Sequence, residues 1–372
     1  MTLLDRLQTL LPEMVEALGE LVRAESPSAD AELTAACGRV LEAQVAGLLG
    51  GPAPQRLEGD GRRHLYWRFG GPTRVLLLGH LDTVWPAGTL HRWPFEVDGA
   101  TATGPGCFDM KAGLVQGLFA LAHLDELSGV SLLVTSDEEI GSPTSQRLIE
   151  VAAAGADAVL VLEPSADGAL KTARKGVSHF GVSITGRAAH AGLEPELGAN
   201  AGVELAHQVL AVEALGDPGA GTSVTPTVAS VGTTPNTVPD AAHFHVDVRT
   251  AQPAEEQRVR SDLARLSPRL SGTRIQLNAG PNRPPLPVQA STGLFELART
   301  VAARLGLPEL RGVAVGGGSD GNFTAAAGVP TLDGLGAFGG GAHAEGEHVR
   351  LDAMPERAAL VAGLVAELLR RR

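Results

Sequence analysis

Cysteine is scarce in this chain of 372 residues, which has only Cys37 and Cys107. Two isolated thiols make neither a disulfide framework nor a cysteine-based zinc site. Cys107 lies inside a motif but reads as a small buried filler. Lysine is scarce too: of 30 basic residues, only Lys111, Lys171 and Lys175 are lysines. A general bias towards arginine explains most of that. Lys111 and Lys175 fall in motif-like segments, where a compact ammonium fits and a planar guanidinium does not. No segment approaches the 18 or so uninterrupted apolar residues of a membrane-spanning helix. No basic cluster exceeds a few residues, and the formal net charge is −12. These two features exclude nucleic acid and anionic membrane surfaces as expected partners. The N-terminal stretch MTLLDRLQTLLPEMVEALGELVRAESP has apolar residues at helical spacing but carries acids throughout. It reads as an amphipathic helix, because a signal peptide needs a basic start and an unbroken apolar run. The expected compartment is the cytoplasm.

What is present supports a full core: 44% of residues are hydrophobic. The length makes two domains the default. Val75 to Val84, VLLLGHLDTV, is the stretch around which the rest is organised. Its apolar run reads as a strand buried on both faces, Gly79 lets the backbone turn, and His80 and Asp82 follow. Ser131 to Thr135 (SLLVT) runs into Asp137-Glu138-Glu139, and Ala158 to Leu162 (AVLVL) runs into Glu163-Pro164. Three apolar strands thus each deliver a metal-type ligand at one end, where open α/β sheets place their ligands. Helices are expected at Ala31 to Leu49 and Met110 to Leu127, with a structured Trp/Pro/Gly loop over 85–108. The pattern is β-α-β-α-β, a mostly parallel, doubly wound α/β sheet.

From about Lys171 the texture changes. Gly176 to Gly186, Thr225 to Gly232 and His243 to Arg249 alternate polar and apolar residues, with helical stretches between them and a last strand at Arg274 to Asn278. These make a small α+β layer, and Pro281 to Pro287 (PNRPPLP) reads as a stiff return linker. The expected organisation is a catalytic domain over 1–171, an inserted lid or dimerisation domain over 172–282, and the rest of the catalytic domain over 283–372.

The residues able to do chemistry are His80, Asp82, Asp109, Glu138, Glu139, Glu163 and His343. Imidazole and carboxylate oxygen together suit zinc, and a bridging carboxylate can hold two ions about 3.5–4 Å apart. Without a thiolate, cobalt or manganese also suits such a set. Adjacent carboxylates at a strand-to-loop turn point in different directions. Within Asp137-Glu138-Glu139, one can therefore bind metal while a neighbour faces the substrate as a base. His243 and His245 share one strand face and could bind metal, although a solvated face is the simpler reading.

The ordered motifs GHLDTV, GPGCFDMKAG, SDEEIGS, LEP and GAHAEGEH resemble those of the M20 family of di-zinc metallopeptidases. The likeness is greatest to its glutamate carboxypeptidase branch, which includes the bacterial carboxypeptidase G-type enzymes. The resemblance implies His80, Asp109 and Glu163 on one zinc and Asp109, Glu139 and His343 on the other, with Asp109 bridging. It implies Asp82 orienting His80 through its second ring nitrogen, and Glu138 as general base. It further implies that His190, in GRAAHAG of a partner subunit's lid, donates to the developing oxyanion. Lys175 (ARKGVS), Asn236 (TTPNTVPD) and Arg249 (VDVR) would bind the substrate carboxylate. Gly316-Gly317-Gly318-Ser319-Asp320 resembles a family loop that approaches the substrate backbone, and no Gly-Lys-Ser/Thr follows to make it a nucleotide loop. The sequence departs from close relatives at His348, where an aromatic residue is usual, and at Cys107.

The implied activity is hydrolysis of the amide bond of a peptide or N-acyl amino acid, releasing a C-terminal amino acid such as glutamate. The implied assembly is a homodimer through the lid. The alternatives are an N-acyl-amino-acid deacylase, such as an acetylornithine or succinyl-diaminopimelate deacylase, and a non-catalytic binding protein on the same fold.

Overall fold

The computed structural model describes residues 1–371 and divides into two compact units. The first comprises Met1–Ala173, Pro287–Val315 and the segment from Ser319 onward. The second comprises Arg174–Leu286 with Gly316–Gly318.

The first unit is built on a six-stranded sheet. Val75–His80 lies between Val130–Thr135 and Ala158–Val161 and runs parallel to both. Thr331–Leu332 extends the parallel part, while Arg62–Arg68 and Gln55–Gly59 add an antiparallel edge. Every residue of the three central strands is buried. That is why they read as apolar runs and not as alternating strands. Successive side chains go to opposite faces. Leu77, Leu132 and Leu160 join a core with Leu18, Leu41, Leu118, Leu294 and Leu364 of the covering helices. Leu76, Leu78, Leu133 and Val159 join a second core with Ile149 and Phe323. Helices thus cover both faces, and each fully buried leucine contributes about 1.5–3 kcal/mol over its exposed state.

Two expected helices differ in extent. The N-terminal helix is two, Leu3–Thr9 and Leu11–Arg23, broken at Leu10. Pro12 sits in the first turn of the second helix and has no N–H to continue the first. The helix expected from Met110 begins only at Ala112 and ends at Leu121. Before it, Cys107–Lys111 forms an irregular turn in which Asp109 and Met110 have non-helical dihedrals. Gly79 also differs from expectation: it lies within its strand and not at a turn. A Cβ there would come within 2.8 Å of both Met110 and Leu114. The missing side chain lets that turn and helix pack onto the strand.

A small antiparallel sheet pairs Glu96–Asp98, Thr101–Thr103, His348–Arg350 and Gly339–Gly340. It ties the Trp/Pro/Gly loop to the segment that carries His343.

The second unit has a four-stranded antiparallel sheet in the order Ser223–Val231, Ala241–Thr250, Gly176–Thr185, Arg274–Arg283. Phe180, Val182, Ile184, Phe244, Val246 and Val248 face a core shared with the helices Ala201–Glu213 and Pro253–Ala264. The last strand continues past Asn278, through a register shift between Ala279 and Asn282, to Arg283. The expected linker therefore begins with strand, because pairing to Gly176–Thr185 resumes beyond the irregularity.

Candidate metal centre

His80 ends the central strand and is almost fully buried. Its Nδ1 lies 3.0 Å from the main-chain carbonyl of Asp82 and 3.6 Å from the Asp82 carboxylate. The carbonyl can only accept, so Nδ1 carries a proton and Nε2 is the nitrogen that faces Asp109 and Glu163. His80 Nδ1 is thus held by the Asp82 main chain, with the Asp82 carboxylate close beside it. The buried Asp82 carboxylate instead accepts from Ser28 Oγ at 2.7 Å and from the backbone N–H groups of Glu138 and Glu139, each at 3.2 Å. Burial opposes ionisation of Asp82, but His80 and these donors outweigh it and hold its pKa below the usual value.

His80 Nε2 lies 3.3 Å from Asp109 Oδ1 and 3.4 Å from Glu163 Oε1. Neither His80 Nε2 nor Asp109 Oδ1 has a hydrogen-bond partner, although both are buried. Two donor atoms bound to one ion at about 2.0–2.1 Å in a tetrahedron stand about 3.3 Å apart. The spacing is that of ligands around a common cation. On its other side, Asp109 Oδ2 lies 3.6 Å from His343 Nε2, which is 3.0 Å from Glu139 Oε2. The two oxygens of Asp109 thus face different histidines. Two further groupings bring ligand atoms within 4.8 Å of one another: His80 with Glu138 and Glu163, and His80 with Asp109 and Glu139.

The local field is strongly negative. Burial works against a charged His80, yet Asp109, Asp82 and Glu163 raise its pKa well above the ordinary value. The hydrogen bond that His343 donates to the Glu139 carboxylate lifts its pKa to about 9, against the effect of burial. Burial raises Glu139, with His343 opposing. Carboxylates gathered in this way repel one another unless a positive charge lies among them. Nitrogen and oxygen donors of this kind fit divalent zinc, cobalt or manganese.

Asp137, Glu138 and Glu139 take separate directions, as adjacent side chains must. Asp137 turns into the protein and accepts from the N–H and hydroxyl of Thr144 and from Ser145 N. Glu138 lies buried beside His80 and Glu163, and Glu139 faces His343.

The buried Glu347 was not picked out from the sequence. Its carboxylate accepts from Phe108 N at 2.8 Å, Asp109 N at 3.0 Å, Gly106 N at 3.1 Å and Trp85 Nε1 at 2.9 Å. It thereby fixes the turn that presents Asp109. Nothing in GAHAEGEH separates it from Glu345 except the fold. Lys171 was missed as well: its Nζ lies 3.6 Å from Glu163 Oε2. Its rarity as a lysine was the available signal. The buried Lys111 donates to the carbonyls of Leu21 and Ala24 at 2.9 and 3.1 Å, closing the end of the helix Leu11–Arg23. Cys107 is buried, which pushes its thiol well above the usual range, as suits a filler.

Glu347→Gln is expected to lower metal affinity about 10–100-fold, because amide hydrogens would oppose backbone donors that now meet a carboxylate. The measurement is metal content after dialysis at graded free metal. Unchanged retention would remove Glu347 from this positioning role.

In the second unit, His190 is exposed on the short strand Ala189–His190, paired with Thr237–Val238. The neighbouring Ala191 N–H donates to Asn236 O at 2.9 Å, so the His190 and Asn236 segments lie side by side. Arg249 forms a two-pronged pair with Asp247 at 2.8 and 2.9 Å, so its fork is already engaged by a neighbour on its own strand. Lys175 precedes Gly176–Thr185. Gly316–Gly318 belong to this unit, and Arg174 Nη1 donates to the carbonyls of Gly317 and Gly318 at 3.2 Å.

Residues 76–367 match the profile of peptidase family M20/M25/M40. The chain is 33% identical to Carboxypeptidase G2 of Pseudomonas sp. (strain RS-16), over 96% of this chain and 89% of that protein. A shorter match, 38% identical over 96 residues, is to a succinyl-diaminopimelate desuccinylase of Aromatoleum aromaticum; it covers 23% of this chain and 25% of that one. The fold is similar to that of a tripeptidase from Staphylococcus aureus, with a TM-score of 0.76 and 20% identity, covering 97% and 99% of the two chains.

Proposed function

The chain belongs to peptidase family M20/M25/M40, and from that premise we propose a two-zinc exopeptidase that frees a C-terminal amino acid, glutamate first among the candidates. The substrate is a peptide or an N-acyl amino acid. The observation that carries this reading is the division of Asp109 between His80 and His343. His80, Asp109 and Glu163 would hold one ion, and Asp109, Glu139 and His343 the other. When bound, the ions would supply Lewis acidity for the scissile carbonyl. Glu138 would act as general base, taking a proton from the attacking water and returning it to the departing amine nitrogen. Asp82 holds the Glu138–Glu139 turn in place, and Glu347 holds the Asp109 turn.

The test is turnover of metal-replete protein on paired substrates, N-acyl and peptidyl glutamate against the same acyl groups on other amino acids, ranked by kcat/KM. A preference set by the released amino acid supports the exopeptidase reading. The desuccinylase similarity favours a second reading, an N-acyl-amino-acid deacylase. A preference set by a succinyl or acetyl group would select it, and no hydrolysis at all would sink both.

The second unit also suits dimerisation. Ser223–Val231 is an edge strand on which Val228 is 68% exposed, and on the helix Ala201–Glu213 Leu210 is 66% exposed. An unpaired edge bearing apolar residues fits a second copy, and a two-fold pair closes on itself. His190 would then serve the partner's site as an oxyanion donor. Sedimentation at micromolar concentration is expected to show a dimer. Mixing inactive His190→Ala and Glu138→Ala parents is expected to restore activity. Random exchange makes half the dimers mixed, and each mixed dimer has one intact site. A monomer in sedimentation would end the dimer reading, and a dead mixture with proven exchange would place His190 in its own subunit or outside catalysis.

A further inference from the structure

On the outer face of the second unit's sheet, away from the core side chains Phe244 and Val246, stand His243 and His245. Residues two apart on a strand share a face at a spacing of about 6.6–7 Å, and these two rings lean together. Their centroids are 4.5 Å apart, their planes meet at 82°, and Nε2 of one lies 3.1 Å from Nε2 of the other. We infer that this pair is a separate chelating site for one borderline divalent cation, Cu2+ or Zn2+, unconnected with the hydrolytic reaction.

Three observations carry the inference. The first is the bite distance. Two imidazole nitrogens at about 2.0–2.1 Å from an ion stand about 2.9 Å apart at a right angle and about 3.3 Å apart in a tetrahedron. The observed 3.1 Å lies between these values.

The second is the seat of the His243 ring. Gly181 stands opposite His245 in the register, and a Cβ on Gly181 would lie 3.1 Å from His243 Cε1. A side chain at Gly181 would press the ring back by a few tenths of an ångström from its place across that strand. An ordinary exposed histidine keeps its rotamer freedom, whereas this one is held in the geometry that a ligand pair needs.

The third is the atom behind the ring. His243 Nδ1 lies 3.3 Å from Ser183 Oγ, which also accepts from Asn278 Nδ2 at 3.3 Å. Ser183 Oγ can accept Nδ1–H and so leave the His243 Nε2 lone pair towards His245 Nε2, with which it shares a hydrogen bond that an ion would replace. Among neighbours on that face, Asp247 is committed to Arg249, and His179 Nδ1 lies 3.7 Å from the same carboxylate. Water would complete the coordination. Imidazole pairs without thiolate or carboxylate favour Cu2+, the strongest binder of the divalent series.

The test is a Cu2+ titration of full-length protein holding two equivalents of Zn2+ and freed of excess, followed by electron paramagnetic resonance. Wild type is expected to take up one equivalent more than His243→Ala or His245→Asn, with a signal showing two nitrogen ligands. Reducing a two-point site to one point is expected to weaken binding about 10²-fold by loss of effective concentration. Gly181→Val, which keeps both histidines but fills the seat, is expected to weaken it as well. Turnover should be the same in all three variants, separating this site from the hydrolytic centre. The inference is overturned by equal stoichiometry in wild type and His245→Asn, or by an affinity loss under about tenfold in both histidine variants; any larger loss supports it.

Discussion

Asp109→Ala is expected to remove both metal ions at once and to reduce hydrolysis to background. The reason lies in how few donors remain. On the proposed assignment, deleting this one side chain leaves His80 with Glu163 on one side and His343 with Glu139 on the other. Two protein donors fall short of the three that hold a catalytic zinc. The loss also removes a negative charge shared by both positions, so neither half is compensated by the other. Substituting a ligand belonging to one ion only, such as Glu163→Ala, should spare part of the metal. The check is the metal-to-protein ratio after gel filtration, alongside circular dichroism to show that the variant is folded. Two ions retained by Asp109→Ala would refute the shared carboxylate.

Glu138→Gln is expected to separate the chemistry from the metal. The amide keeps the size of the side chain but cannot take up a proton, so kcat should fall about 10²–10⁴-fold, or about 3–5 kcal/mol of barrier. Metal content should stay at the wild-type value, because Glu138 is assigned as base. The buried position of Glu138 beside His80 and Glu163 makes this a demanding test. If the ion ratio falls together with kcat, Glu138 is a ligand and the base must be sought elsewhere.

The sheet was legible in the sequence for a simple reason. Val75–His80, Val130–Thr135 and Ala158–Val161 are buried on both faces, so their composition is apolar without alternation and announces a parallel core. His80, the group Asp137-Glu138-Glu139 and Glu163 follow from where those strands end, and only the family resemblance singles out Glu139 within the group. His343 does not follow from them. It sits in an irregular segment with φ of 61°, a left-handed backbone that no periodicity signals, and only the family resemblance points to it. A glycine after an apolar run suggests a turn, whereas Gly79 serves close packing against Met110 and Leu114. Glu347 escaped notice because its role is a set of hydrogen bonds to backbone far away in sequence, which composition cannot encode. Pro12 signals the break at Leu10, but the helical spacing of apolar residues continues across it and hides the interruption.

The two histidines of the centre differ greatly in their access to water. The His80 side chain is 2% exposed and that of His343 is 51% exposed. On the proposed assignment, one ion would rest against a walled-in nitrogen and the other against a nitrogen at the rim. The two positions should therefore have unequal residence times. An ion at the His343 side can be traded with the surrounding solution while its neighbour stays in place. Growth conditions would then set the identity of the outer ion, and mixed-metal enzyme would be the ordinary product of a cell with several cations on offer.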